Sequence, residues 1–203
     1  MAHLKIALVT CSTRNPRINP FITKYVHGIL ELIASEQASL EILDIADQSL
    51  PLYDEPAIPS RLPADNPTPH YQQEHTRQWS AKVHAYDAFV FVTPQYNWSI
   101  PASLKNALDY LFYEWKDKPA AIVSYGGHGG NKATEHLRGI LGGLRMKAVA
   151  TAPALTIRGS VFEESLAQGH ITQEQVTAWR EAGAEEAIRQ MFEELIHMSK
   201  QRT

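Results

Sequence analysis

One cysteine, Cys11, stands in a chain of 203 residues. No internal disulfide can form, so a reducing compartment is expected. The opening MAHLKIALVT lacks the basic, apolar and small-residue succession of a secretory leader, which points the same way, to the cytoplasm. Neither sign of charge is in large excess: Lys and Arg total 19 against 22 Asp and Glu, a formal net charge of -3. That balance offers no long-range attraction to nucleic acid or to an anionic membrane surface, and neither is expected as a partner. Long apolar runs are missing too. The longest uncharged stretch, Ala88 to Leu104, carries Pro94, Gln95, Asn97 and Pro101, whose polar groups hydrocarbon would leave unsatisfied, so no membrane span is expected. The histidine pairs His70/His75 and His128/His136 lack the i, i+4 spacing of ligands on one helix face, and no metal site is expected.

What is present is a rhythm. LKIALV (4–9), LEILDI (40–45), AFVFV (88–92) and AAIV (120–123) are short apolar runs bounded by polar or turn residues, the pattern of buried strands. Between them apolar residues recur at helical spacing: Phe21, Tyr25, Ile29 and Leu32; Leu104 to Trp115; Ala133, Leu137, Ile140 and Leu144. A fifth strand is expected within Lys147 to Ile157. Thr172 with Gln175 predicts a capping box opening a C-terminal helix over 172–200. Alternating strand and helix predicts an α/β fold with a parallel sheet covered by helices on both faces, one domain over 1–203. Residues 51–69 break the rhythm: PLYDEPAIPSRLPADNPTP holds six of the twelve prolines and predicts a long ordered excursion.

Parallel sheets bind ligands beyond the carboxyl ends of their strands, which directs attention to residues 10–20, 93–101 and 124–131. The first of these loops reads VTCSTRNPR. A loop leaving a strand and opening a helix presents free N–H groups and the positive end of the helix dipole, and Ser12, Thr13, Arg14 and Arg17 add hydroxyl and guanidinium donors suited to a phosphate. Cys11 and Arg17 also have the Cys-x5-Arg spacing of a loop resembling that of low-molecular-weight tyrosine phosphatases. In that reading Cys11 is the nucleophile and Arg17 holds the phosphoryl group. Ile18 stands where that family has Ser or Thr, however, and the sequence has no Asp-Pro pair to supply the general acid. The competing reading makes Cys11 a small buried residue ending a strand.

The second loop, TPQYNWSIP, is stiffened by two prolines and carries Tyr96 and Trp98, which suits a flat aromatic ligand. The third holds Gly126, Gly127, Gly129 and Gly130, where backbone can approach a planar ring without Cβ interference. Neither matches the Walker loop or the G-x-G-x-x-G fingerprint.

The stretch PQYNWSIPASLKNALDYL (94–111) closely resembles the NADPH-dependent FMN reductase family, whose pattern runs roughly P-x-Y-N-x-S-I-P-x-x-L-K-N-A-x-D. CSTR (11–14), LPLYDEP (50–56) and KPAAIVSYGGHGG (118–130) resemble further blocks of that family in the same order, with Cys11 in place of its usual glycine. The resemblance implies a flavodoxin-like three-layer sandwich whose five-stranded parallel sheet has the order 2-1-3-4-5. It implies FMN as cofactor and NADPH or NADH as cosubstrate. Ser12, Thr13, Arg14 and Arg17 would bind the FMN phosphate, with Asn19 near the ribityl end. Pro94, Gln95, Tyr96 and Asn97 would edge the isoalloxazine, and Gly126 with Gly127 would line its far side. No side chain is assigned as catalytic acid or base, because the flavin carries the chemistry. A homodimer, or a tetramer, and a small-molecule electron acceptor complete the expectation; a flavodoxin-like electron carrier or redox-dependent binding protein is the alternative.

Overall fold

The computed structural model describes residues 3–34 and 37–201. Four strands, β1 (Leu4–Thr10), β2 (Ala38–Asp44), β3 (Ala88–Pro94) and β4 (Pro119–Gly126), lie parallel with β1 between β2 and β3 and with β4 beyond β3. The fifth position is filled by two short pieces, β5 (Lys147–Ala148) and β6 (Ala154–Thr156), both parallel to β4. The order is the expected 2-1-3-4-5, but the single strand foreseen within 147–157 is interrupted. The break lies between Val149, whose amide still donates to Ala120, and Pro153, which has no N–H to give but whose carbonyl accepts from the Ser124 amide. Side chains satisfy the freed backbone: Arg138 donates to the carbonyls of Val149 and Ala150, and Glu194 accepts from the amide and hydroxyl of Thr151.

β3 shows how the sequence builds three layers. All seven of its residues are buried. Phe89 and Phe91 point to one apolar cluster, with Trp79, Leu104, Leu108, Trp115 and Leu137. Ala88, Val90 and Val92 point to the other, with Ile22, Val26, Ile188 and Phe192. The strand's period of two therefore splits one apolar run between two cores. Helices α2 (Glu74–His84), α3 (Ala102–Asp109) and α4 (Asn131–Gly143) cover the first face, and α1 (Asn19–Ala34) and α7 (Ala184–Lys200) the second. The pairing Pro94 with Tyr125, and Thr10 with Val92, brings the loops after β1, β3 and β4 out at one edge.

Three elements differ from the sequence expectation. The helix expected from Ala102 to Trp115 stops at Asp109, because the indoles of Trp79 and Trp115 donate to the carbonyls of Ala107 and Leu108 and so satisfy its last turn from outside. The C-terminal helix expected over 172–200 is two, α6 (Gln173–Glu181) and α7, broken at Gly183, whose φ of 77° only glycine adopts cheaply. Thr172 caps α6 as expected, accepting from the Gln175 amide, but the Gln175 side chain donates to Thr156 instead of closing the box. Helix α2 was hidden because its buried residues, Thr76, Trp79, Ser80 and Val83, have helical spacing but half of them carry hydroxyls. Short α5 (Val161–Gln168) was also not foreseen.

The proline-rich excursion is ordered. Asn106 of α3 donates to the Pro51 carbonyl and accepts from the Tyr53 amide, and Tyr110 donates to the Asp54 carboxylate. Glu55 accepts from the amides of Gln72 and Gln73, satisfying the start of α2. The motif LPLYDEP is thus stapled to the motif LKNALDY, though the two lie far apart in sequence. None of the helices among the described residues is long and apolar enough to cross a membrane.

Candidate functional site

At the common edge of β1, β3 and β4 a cavity of about 170 Å³ is lined by Arg14, Arg17, Ile18, Pro94, Gln95, Tyr96, Tyr125, Gly126, Gly127, Ile157 and Phe162. The first loop is held from behind by α1. Asn19, fully buried, accepts from the Ser12 amide at 2.7 Å and donates to the Val92 carbonyl at 3.0 Å, locking the end of β1 to the end of β3. Ser12, also buried, shares a 2.7 Å hydrogen bond with the Tyr96 hydroxyl and accepts from the Arg14 amide. The Arg14 guanidinium lies over the Tyr96 ring, 3.7 Å from its centroid, and forms no ion pair among the described residues.

Arg17 is placed differently. Its two terminal nitrogens fork onto the Asp44 carboxylate at 2.8 Å each, and one of them also donates to the Ser12 carbonyl. Of the two arginines on this loop, one is therefore committed to protein groups and one is not.

The second loop turns within two residues. Tyr96 and Ser99 exchange both backbone hydrogen bonds at 2.9 Å, and Asn97 and Trp98 between them adopt φ of 47° and 66°. Asparagine tolerates that region; tryptophan is costly there, a strain of order 1–3 kcal/mol that the surrounding fold supports. The Gln95 side chain accepts from the amides of Lys132 and Ala133 and caps α4. In the third loop a Cβ on Gly127 would meet no atom within 4 Å, whereas one on Gly130, at φ 84°, would stand 2.9 Å from the Tyr125 amide. The two glycines serve opposite needs: open space at Gly127 and backbone closure at Gly130.

Cys11 is fully buried, and its thiol donates to the Val9 carbonyl at 3.3 Å. Burial, with the Asp44 carboxylate nearby, pushes the thiol well above its ordinary range. A thiolate nucleophile needs access and a depressed pKa. Cys11 has neither, and its supposed arginine is bound to Asp44, so the phosphatase reading is overturned.

Residues 4–158 match the family described as NADPH-dependent FMN reductase. The chain belongs to that family. An NAD(P)H-dependent FMN reductase of Nectria sp is 39% identical over 199 residues, covering 97% of this chain and 98% of its own. One from Saccharomyces cerevisiae is 40% identical over 151 residues, 72% of this chain and 78% of its own. A quinone reductase of Pseudomonas putida is 34% identical over 168 residues, 79% and 82% of the two chains. The flavoenzyme NAD(P)H:(acceptor) oxidoreductase of Paracoccus denitrificans shares the fold, with a TM-score of 0.64 at 20% identity over 94% of this chain and 98% of that one. As an FMN reductase the protein is an oxidoreductase with FMN as cofactor and NAD(P)H as cosubstrate.

The residues present fit a phosphorylated flavin. An unpaired guanidinium, an open glycine edge and half-buried apolar walls at Ile157 and Phe162 meet at one cavity. Tyr125 adds a phenol only 6% exposed whose hydroxyl has no hydrogen-bond partner among the described residues. Of the FMN reductase residues named from sequence, Arg14, Arg17, Pro94, Gln95, Tyr96, Gly126 and Gly127 line this cavity, and Ser12 lies beneath it through Tyr96. Asn19 stands behind the loop with its amide oxygen and nitrogen each bonded to the backbone, and Thr13 and Asn97 are exposed outside the lining. Ile18, Tyr125, Ile157 and Phe162 line the cavity as well, and none of them is among the residues the sequence assigned to it. Applying the carboxyl-end rule to the fifth strand as well would have found the last two.

A wider groove of about 550 Å³ lies between β6, α5, α6 and α7. Its buried donors, the Trp179 indole and the Gln175 amide, both already bond the Thr156 carbonyl, and Arg158 shares its lining with the carboxylates Glu164 and Glu174. The smaller cavity is the one that gathers the residues expected from sequence, and it is the candidate site.

Proposed function

We propose that the protein transfers hydride from NADPH or NADH through bound FMN to quinone, azo, free-flavin or metal-ion acceptors, with donor and acceptor taking turns at one open face. The observation that carries this reading is the convergence of Arg14, Tyr96 and the Gly126–Gly127 edge on a single cavity in a chain of the FMN reductase family. FMN, when bound, supplies the hydride-accepting chemistry; the protein supplies anchorage and orientation.

In this reading Arg14 and the hydroxyl and N–H groups of Ser12 to Arg17 hold the phosphate at the start of α1, where the helix dipole favours an anion. Arg17 acts by bracing the loop against Asp44 as well as by its charge. Gln95, fixed as the cap of α4, holds the backbone of the second loop rigid, so that main-chain groups of Gln95 to Asn97 can edge the ring. Gly127 leaves the far side clear. An enclosed ligand site usually measures about 300–1,000 Å³. At about 170 Å³ this cavity grips only part of a flavin, and the ring lies across the rim. An exposed ring accounts for a broad choice of acceptors.

Leu52, Ile58 and Trp98 are 86%, 53% and 68% exposed, apolar surface that a second copy of the chain covers in a homodimer. The working compartment in this proposal is the cytoplasm.

Purified protein supplied with FMN should turn yellow and bleach anaerobically on addition of NADPH, then recover colour with a quinone. Arg14→Ala should fold normally and lose FMN. Protein that binds no FMN, or binds it without bleaching, sinks the reading. Sedimentation as a monomer at micromolar concentration sinks the dimer.

A further inference from the structure

Most polar groups at the flavin cavity are already engaged. Ser12 holds Tyr96, Asn19 holds Ser12 and Val92, Arg17 holds Asp44, and Gln95 holds α4. One is not. Tyr125 lines the cavity, is more than nine-tenths buried, and has no hydrogen-bond partner among the described residues for its hydroxyl. Its hydroxyl is not sealed in the core, as the unpaired hydroxyls of Tyr25, Thr76, Thr134 and Ser165 are, but opens on the cavity, where a ligand can take up its hydrogen-bonding capacity.

The surroundings say what kind of partner. The Tyr125 ring packs in the core cluster on the α1 side of the sheet, with Ile18, Val123 and Leu155. That places it toward the first loop and away from α4, which the Gln95 cap occupies. Beside burial, the groups whose charge bears on its hydroxyl are Tyr96, Cys11, Arg14 and Arg17, and no carboxylate is among them. Arg14 and Arg17 bring two guanidiniums to the cavity that Tyr125 lines, which suits an anionic ligand. The commitment of Arg17 to Asp44 strengthens the case, since a phosphate dianion then lacks the second fork that sequence alone suggested.

We propose that the Tyr125 hydroxyl is a binding group for the FMN phosphate, donating a hydrogen bond to one of its oxygens beside Arg14. The inference rests on the proposed flavin site and gives a role to a residue of the KPAAIVSYGGHGG block that had none. It also gives the tyrosine of SYGG a role distinct from that of the glycines that follow it: Tyr125 selects for the phosphorylated form, and Gly126 with Gly127 admit the ring.

The test compares FMN with riboflavin, which lacks the phosphate, in the full-length protein. Tyr125→Phe keeps the ring in the core and removes only the hydroxyl. It should weaken FMN binding about tenfold or more, as expected for a hydrogen bond to a charged group, and change riboflavin binding by less than about twofold. In protein labelled at tyrosine Cζ, the Tyr125 resonance should move with FMN or with inorganic phosphate and stay in place with riboflavin. Unchanged FMN affinity in Tyr125→Phe overturns the proposal, and so does an equal loss for FMN and riboflavin, which would put the hydroxyl on the ring or ribityl chain. Arg14→Ala reports separately on the site: if that variant keeps full FMN affinity, the first loop does not hold the phosphate and the proposed site itself fails.

Discussion

The hydroxyls of Ser12 and Tyr96 stand 2.7 Å apart, so the loop after β1 and the loop after β3 are joined side chain to side chain. Arg14, stacked 3.7 Å from the Tyr96 ring centroid, makes the same connection a second time. The phosphate end and the ring end of the proposed site are therefore one structural unit. Disturbance of either loop should be felt at the other.

The Arg17–Asp44 fork is the first place to test that unit. The side chains of Arg17 and Asp44 are 20% and 15% exposed, so removing the carboxylate strands a half-buried guanidinium. Asp44→Ala should cost about 1–3 kcal/mol in urea unfolding and weaken FMN binding with it. Arg17→Lys should recover only part of the loss, because an ammonium cannot fork. Full stability in Asp44→Ala would mean that the pair is incidental.

The glycines after β4 should separate cleanly. Gly130→Ala forces a Cβ to 2.9 Å from the Tyr125 amide at a φ of 84°, and the backbone cost alone is about 1–3 kcal/mol. Gly127→Ala meets no atom within 4 Å and should leave the thermal midpoint almost unchanged while weakening FMN binding. If Gly127→Ala binds FMN as well as the parent, the ring does not cross that edge.

Cys11 should be inert. In folded protein at about pH 8 iodoacetamide should leave it unmodified, and unfolding should expose it to complete alkylation. Cys11→Ser should keep flavin reduction nearly intact. Rapid labelling of the native protein would contradict its burial and its raised pKa.

Alkaline pH should destabilise the fold through its tyrosines. Burial first, with Glu185 next, pushes Tyr25 up to about 12, and burial with the Glu41 hydrogen bond does the same for Tyr86. Tyr71 and Tyr110 move in the same direction, again chiefly by burial. The unfolded chain releases these protons from about pH 10, where the folded chain still holds them, so stability is intact below pH 10 and falls as pH rises toward 12. Denaturation midpoints across that range, read beside phenolate absorbance, check the sign; stability flat from pH 9 to about 12 would refute it.

Much of this architecture was legible in the chain. AFVFV could only be a buried strand, and its neighbours at the same spacing dictated a parallel sheet with helices on both faces. The illegible parts have identifiable causes. Helix α2 buries hydroxyls where a pattern search counts apolar residues. The helix beginning at Ala102 looked longer than it is because the indoles that end it come from Trp79 and Trp115, one of them on another element.

For the site, the sequence by itself determined which loops meet, because the carboxyl ends of parallel strands share one edge and the PQYNWSIP and SYGGHGG motifs fall there. It also determined the family. Only the tertiary structure decided what each side chain does. It turned Arg17 onto Asp44, Asn19 onto Ser12 and Val92, and Gln95 onto α4, and it left Tyr125 without a partner. Backbone order follows from local periodicity, whereas a hydrogen-bond partner depends on which distant elements the packing sets within about 3 Å.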